Sequence, residues 1–329
     1  MFNLTTDPED MGRFADRGEL LALMDGFDGV ELLCFEPETG GLIPKERVVG
    51  LHMSYFPYWL DFWNGDEQAL LREFGTMEEC RKYYGGDTRD AILRRFRKDL
   101  EYAKLYGAEY VVFHVSDASM EESFTRRFRH TDAEVIDAAC QVLNTIFAED
   151  TANDSRAAND SRDAQATPAL LLENLWLPGL TFTNPAMTQR LLDGIAYPNK
   201  GLMLDTGHLL HTDTKLSTQE EGLRYIHEML DLHGPLARAV RGVHLNQSLT
   251  GPYSERMMAC PPPQGIPYPE RIMQSFYHAF AVDAHDPFTC PGVQQLIDRI
   301  APEYLTFEFI SKDTPDHRKK LTAQRAALK

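Results

Sequence analysis

The sequence is poor in cysteine, short of basic charge, and has no long apolar run. Its five cysteines, Cys34, Cys80, Cys140, Cys260 and Cys290, stand far apart in 329 residues with no CxxC pair. That spacing excludes a cysteine metal site and a disulfide framework, and it points to reduced thiols in a cytosol-like compartment. Apolar runs such as Ala169–Leu172 are far too short to span a bilayer, so no membrane partner is expected. The first residues, MFNLTTDPEDMGRF, lack the basic and apolar regions of a signal peptide, and the expected location is cytoplasmic. Lysine and arginine number 33 against 50 acidic residues, a formal charge of −17. This disfavours broad binding to nucleic acid or anionic lipid, which needs clustered cations. A local patch or a metal centre can still hold phosphate. No GxGxxG follows the first strand, and Walker A, GxSxG and HExxH strings are all missing.

What is present is the profile of a soluble globular protein, 43% hydrophobic and 25% charged. Short apolar runs alternate with helical periodicity, the pattern of βα units around a parallel sheet. Eight strands are predicted: Phe2–Thr5, Gly29–Phe35, Val48–Met53, Tyr110–Val115, Leu170–Leu175, Gly201–Thr206, Val240–Asn246 and Tyr304–Phe309. Most are apolar on both faces, as covered parallel strands should be. Helices are predicted over Met11–Gly26, Thr88–Gly107, Asp132–Phe147, Ala186–Ile195, Thr218–Leu232 and Pro291–Ile300. The expected fold class is α/β, a (β/α)8 TIM barrel forming one domain over residues 1–329 with loop insertions. An open doubly wound sheet is the alternative. Residues 149–167, with ANDSRA followed by ANDSRD, read as a disordered surface insertion. Residues 248–272, with Pro261–Pro263, read as a proline-rich loop over the barrel mouth.

Metal-capable side chains gather at the predicted strand ends. His52, His114, Glu173, Asp205, His244 and Glu308 close strands three to eight, and His208 follows Asp205 by three residues. Strand C-termini in a barrel converge on one mouth. A single His or Glu at such a place is usually an ordinary hydrogen-bonded group. Seven in matching positions are harder to explain separately, and the acids Glu173 in LLLENL and Glu308 in LTFEF are costly to bury without a cation. Mixed imidazole and carboxylate suits Zn, Mn or Fe.

The strings LLLENL, LMLDTGH, VHLNQS and FEF resemble the xylose isomerase-like TIM-barrel superfamily, from about Gly29 to Phe309. HMSY, FHVS and VDAHDP resemble the metal-binding strings of its endonuclease IV branch. That resemblance implies up to three divalent ions, Zn2+ first and Mn2+ second. His52, His114 and Glu173 would hold one. Glu173, Asp205, His244 and Glu308 would hold a second, with Glu173 shared. Asp205, His208, Asp283 and His285 would hold a third. Catalytic roles would fall on Glu173, Glu308 and His208. The chain departs from that branch in Gln247, in Leu175–Trp176 and in a much longer loop between His244 and Asp283.

The stretch YFPYWLDFW places Tyr55, Tyr58 and Trp59 after the third strand, where they are expected to stack on a planar ligand. The tryptophans are similar to those of cobamide-remodelling phosphodiesterases in the same superfamily. Trp176 and Asn246 complete the expected substrate-facing set. The first functional expectation is a metal-dependent phosphodiester hydrolase, on a nucleotide-like small molecule such as a cobamide rather than on DNA. The second is a sugar or sugar-phosphate isomerase or epimerase holding one metal at Glu173, Asp205, His244 and Glu308. Against the second stands Thr250, where such epimerases carry an arginine. A non-enzymatic metal-binding barrel is a third reading. Oligomeric state is not legible.

Overall fold

The apolar runs form eight strands: β1 (Phe2–Thr5), β2 (Val30–Leu33), β3 (Val48–His52), β4 (Tyr110–His114), β5 (Ala169–Glu173), β6 (Lys200–Asp205), β7 (Val240–Leu245) and β8 (Tyr304–Phe307). In the computed structural model, which describes residues 1–157, 167–263 and 265–329, they pair in sequence order into a closed parallel barrel. The fold is a (β/α)8 TIM barrel, and the open-sheet alternative falls because β8 returns to β1. That seam is narrow, with Phe2 opposite Phe307 as its one register pair. The Asn3 amide extends it, donating to Phe309 O (3.1 Å) and accepting from Phe309 N (3.0 Å).

Period-two alternation explains why both strand faces are apolar. Val111, Phe113, Leu170, Leu172, Leu204 and Val243 pack outward beneath the helices. Tyr110, Val112, Ala169, Leu171 and Met203 form a separate inner cluster that fills the barrel. Two residues further along each strand, the same inward column reaches His114, Glu173 and Asp205. Register then sets His114 opposite Glu173 and Asp205 opposite His244. Gly50 makes room in this interior, because a Cβ there would lie 2.2 Å from Cζ of Tyr110.

Three of the segments read from sequence take a different form in the helical layer, and helices not read from it include Leu60–Asn64, Glu67–Phe74, Met77–Tyr84 and Thr314–Ala327. Met11–Gly26 is two short helices, Pro8–Met11 and Arg17–Leu23, because Asp16 caps the second by accepting from Glu19 N (3.0 Å). The helix starting at Asp132 runs on to Ala157, so the first part of the supposed disordered insertion is helical backbone. Residues 158–166 of that insertion lie outside the described residues.

The supposed proline-rich loop is mostly helix, Gly251–Ala259 and Tyr268–Val282. Pro252 and Pro269 sit in the first turns of these helices, where a missing N–H costs nothing. Among the described residues, the stretch around Pro261–Pro263 separates the two helices. No helix among the described residues is long and apolar enough to cross a membrane. All five cysteines are free, and four of them are buried.

Candidate metal centre

Strand ends and one returning loop build the centre from the residues upward. Glu173, fully buried at the end of β5, is its hub. Its Oε2 lies 3.1 Å from His52 Nε2 and 2.9 Å from His114 Nε2, and those two nitrogens are 3.2 Å apart. Its Oε1 lies 3.2 Å from His244 Nδ1 and 3.2 Å from His208 Nδ1. His244 Nδ1 is also 2.9 Å from Glu308 Oε2 and 3.9 Å from Asp205 Oδ2. His208 Nε2 faces Asp283 Oδ2 at 3.0 Å, and His285 Nε2 approaches the same oxygen at 2.9 Å.

Asp283 and His285 reach the centre although they are distant in sequence from most of the other candidate ligands. The excursion after β7 leaves at Gln247 and returns at Asp286, where the two segments form an antiparallel bridge. Its bonds are Gln247 N to Asp286 O (2.8 Å) and Asp286 N to Gln247 O (3.0 Å). Ser248 Oγ donates to Asp283 Oδ1 (3.0 Å) and accepts from His285 N (3.3 Å). His285 takes a left-handed backbone, φ 44°, which is costly for a residue with a Cβ and is sustained here by that bridge.

Neighbouring carbonyls select the nitrogen that two of the imidazoles, His52 and His208, turn to the centre. His52 Nδ1 donates to Met53 O (2.8 Å), leaving Nε2 free. His208 Nδ1 donates to Asn174 O (2.9 Å), again leaving Nε2. Asp205 is held by His208 N (2.6 Å) and the Asn246 amide (2.7 Å). Gly207 permits that packing, since a Cβ there would sit 1.9 Å from Asn246 Oδ1.

Charge in the centre is unbalanced by ordinary side chains. Among the described residues no lysine or arginine pairs with Glu173, Asp205, Asp283 or Glu308; their close partners are histidines. Burial pulls the His52 imidazole down, but Glu173 overrides it and holds the group up at about 9. His285 is likewise opposed by burial and raised to about 9 by Asp283. Burial also opposes charge on His208 and His244, yet Asp205 beside the first and Glu308 beside the second keep both well above the usual imidazole range. Burial, more than any other cause, pushes Asp205 up to about 7 and His114 down. Glu173, opposed by burial, is drawn well below the carboxylate range by His114 and His244.

The four raised histidines thus stand beside carboxylate charge that divalent cations would neutralise. Three donor sets have atoms within 4.8 Å of one another: His52–His114–Glu173, Glu173–Asp205–His244–Glu308 and Asp205–His208–His285. Buried Glu308 Oε2 and His285 Nε2 sit close to their neighbours without an aligned hydrogen bond, as ligands aimed at a common ion would. The residues present fit the ions that the sequence implies.

The expected substrate-facing set divides. Tyr55 and Trp176 are half-buried at the centre. Tyr55 stands edge-on to His114 at 4.5 Å, and Trp176 lies 5.3 Å from His208 and 5.1 Å from His211. Tyr58 and Trp59 are buried and face the protein body instead. Tyr58 OH donates to Asp61 (2.6 Å) and Trp59 Nε1 to Ser116 O (2.8 Å), so their polar handles are used internally. Asn246 is also fully buried and orients Asp205 rather than facing the opening. Glu31 on β2 escaped the sequence reading, although an acid in the apolar run VELL carries the same signal as Glu173 in ALLLE. Asn174 also escaped it; its amide brackets Asp205 by donating to Asp205 O (3.0 Å) and accepting from Asp205 N (2.9 Å).

A family model described as xylose isomerase-like TIM barrel matches residues 82–288, well over half of the chain, and the chain belongs to that family. The matched span holds His114, Glu173, Asp205, His208, His244, Asp283 and His285. No curated protein matches the sequence. A putative xylose isomerase from Rhodospirillum rubrum is 13% identical, with a TM-score of 0.51 over 99% of this chain and 98% of that one. An L-ribulose 3-epimerase is 12% identical, with a TM-score of 0.50 over 99% and 92%. Endonuclease IV from Thermus thermophilus is 17% identical, with a TM-score of 0.49 over 99% and 97%. At these identities the likenesses to the putative isomerase and the epimerase show the fold alone.

Proposed function

We propose that this member of the xylose isomerase-like TIM-barrel family is a divalent-metal-dependent phosphoester hydrolase, acting on a nucleotide-like small molecule. The observation that carries the reading is the sharing of ligands. Glu173 turns one oxygen to His52 and His114 and the other to His244. Asp205 belongs to two donor sets as well. Sharing of this kind supports adjacent ions, Zn2+ first and Mn2+ second for such a nitrogen and oxygen set. Bound ions would neutralise the phosphate, lower the pKa of water and stabilise the leaving oxygen.

The chain's own residues do the rest. Glu173 sets the spacing of the donor sets, and Met53 O and Asn174 O keep His52 and His208 in one orientation. Water attacks phosphorus, the bond to the leaving alkoxide breaks, and the proton lost by water ends on that alkoxide. Glu308, whose second carboxylate oxygen is not committed to His244, is the group we assign to hold that proton in transit. Tyr55 and Trp176 flank the centre and would pack on a planar part of the substrate. An acidic protein has little to offer the long phosphate track of DNA, which favours the small molecule.

A one-metal isomerase would need His52 and His114 free for sugar hydroxyls. Their Nε2 atoms instead aim at Glu173 Oε2, which supports the hydrolase reading. The test is elemental analysis of the purified protein, followed by assays on phosphodiesters, abasic DNA and ketoses. Two or three zinc- or manganese-class ions and phosphodiester cleavage are expected, with Glu173→Gln losing more metal than Asp283→Ala. A single ion indifferent to both variants, together with ketose turnover, would overturn it.

A further inference from the structure

Beneath the donor sets, on the side of the barrel interior, His244 meets a second carboxylate. Glu31 is 2% exposed and comes from β2, across the barrel from β7. Its Oε1 lies 2.9 Å from His244 Nε2. Its Oε2 accepts from Tyr110 OH (2.5 Å) and Thr306 Oγ1 (3.3 Å). A carboxylate buried this deeply is retained only where donors satisfy it, and here each donor comes from a different strand.

We infer that Glu31 is a positioning residue for the middle donor set: it accepts Nε2–H of His244 and so presents Nδ1 to an ion shared with Glu173, Asp205 and Glu308. The inference rests on the metal-dependent reading above. An imidazole offers two distinct ligand nitrogens, and the acceptor on the opposite side decides between them. His52 and His208 receive that instruction from backbone carbonyls, Met53 O and Asn174 O. His244 receives it from a side chain, which a point substitution can remove. Glu31 in turn depends on Tyr110, whose ring occupies the space that Gly50 leaves open. Glu31 cannot meet substrate, since His244 stands between it and the donor sets.

The test uses the intact chain. Zn2+ affinity is measured by chelator competition for the wild type, Glu31→Leu, Glu31→Gln and Tyr110→Phe. Nitrogen NMR of the zinc-loaded wild type reads which His244 nitrogen binds metal. Glu31→Leu should weaken one of the bound ions about 10–100-fold. Glu31→Gln, whose amide oxygen can still accept Nε2–H, should lose less, and Tyr110→Phe less than about 10-fold. His244 should ligate through Nδ1 and carry its proton on Nε2. Unchanged affinity in both Glu31 variants, or ligation through Nε2, overturns the assignment. If Glu31→Leu fails to fold, Glu31→Gln and Tyr110→Phe decide. A wild type that holds zinc but cleaves no phosphoester defeats the hydrolase reading alone. One that holds no divalent ion defeats both.

Discussion

Buried imidazoles serve this chain in two opposite ways. In the centre His52, His208, His244 and His285 sit against carboxylates that raise their affinity for a proton. Elsewhere they are kept neutral: burial pushes His211 and His317 down to about 3. His317 packs edge-on to Phe2 at 5.1 Å, and its Nδ1 accepts from Arg13 (3.2 Å), which further disfavours a second proton. The sign of the stability effect follows. Unfolded, His317 takes a proton near its ordinary value of 6.5; folded, it does so only near 3. Between those values the unfolded state binds more protons, so stability is intact above 6.5 and falls as pH drops toward 3. Each such group steepens the loss by about 1.4 kcal/mol per pH unit. Urea unfolding at pH 7, 6 and 5 should show a shallower acid loss for His317→Gln than for wild type. Equal slopes would remove His317 from this account.

Local signals fared unevenly at the scale of single elements. The string S-x-x-E at Ser119–Glu122 is a complete capping box, with Ser119 Oγ accepting from Glu122 N (3.3 Å) and Glu122 Oε2 from Ser119 N (2.8 Å). Ser119→Ala should therefore cost about 1 kcal/mol, read as a melting temperature lower by about 2 °C, with metal content unchanged. A loss of bound metal in that variant would mean that the helix Met120–Thr125 does more than cover the barrel. Strand cores were legible because β-branched and apolar runs of this length have few other uses. Residues 248–272 were not, because their prolines signal a loop until their places in the first turns of two helices are known. Tyr58 and Trp59 failed for a related reason. Aromatic residues near a mouth look alike in sequence whether they face ligand or core.

Across the whole molecule the governing quantity is charge. The chain carries a formal −17, and its centre gathers carboxylates with no lysine or arginine partner among the described residues. On the proposed function an anionic substrate needs cations to enter such a place, so chelation should abolish the proposed hydrolysis, and added Zn2+ or Mn2+ should restore it. Ions that bind the folded state alone also stabilise it, by about 4 kcal/mol for each present at a thousandfold over its Kd. Calorimetry before and after chelation should show a melting temperature lower by several degrees. No change in either activity or melting would argue against resident metal.

The order of strands, their apolar character and the ligand types at their ends are properties of short stretches of chain, and they can be read one stretch at a time. Alternation along a strand is local chemistry, so His114, Glu173 and Asp205 were recognisable before any contact was known. Which residues meet is not local. His52 reaches Glu173 across 121 residues and His244 reaches Glu31 across 213, and only barrel closure and register bring them together. The Gln247–Asp286 bridge that delivers Asp283 and His285 belongs to the same class. A short motif states what a side chain can bind. The closed sheet, through backbone hydrogen bonds that fix each strand against the next, decides what it faces.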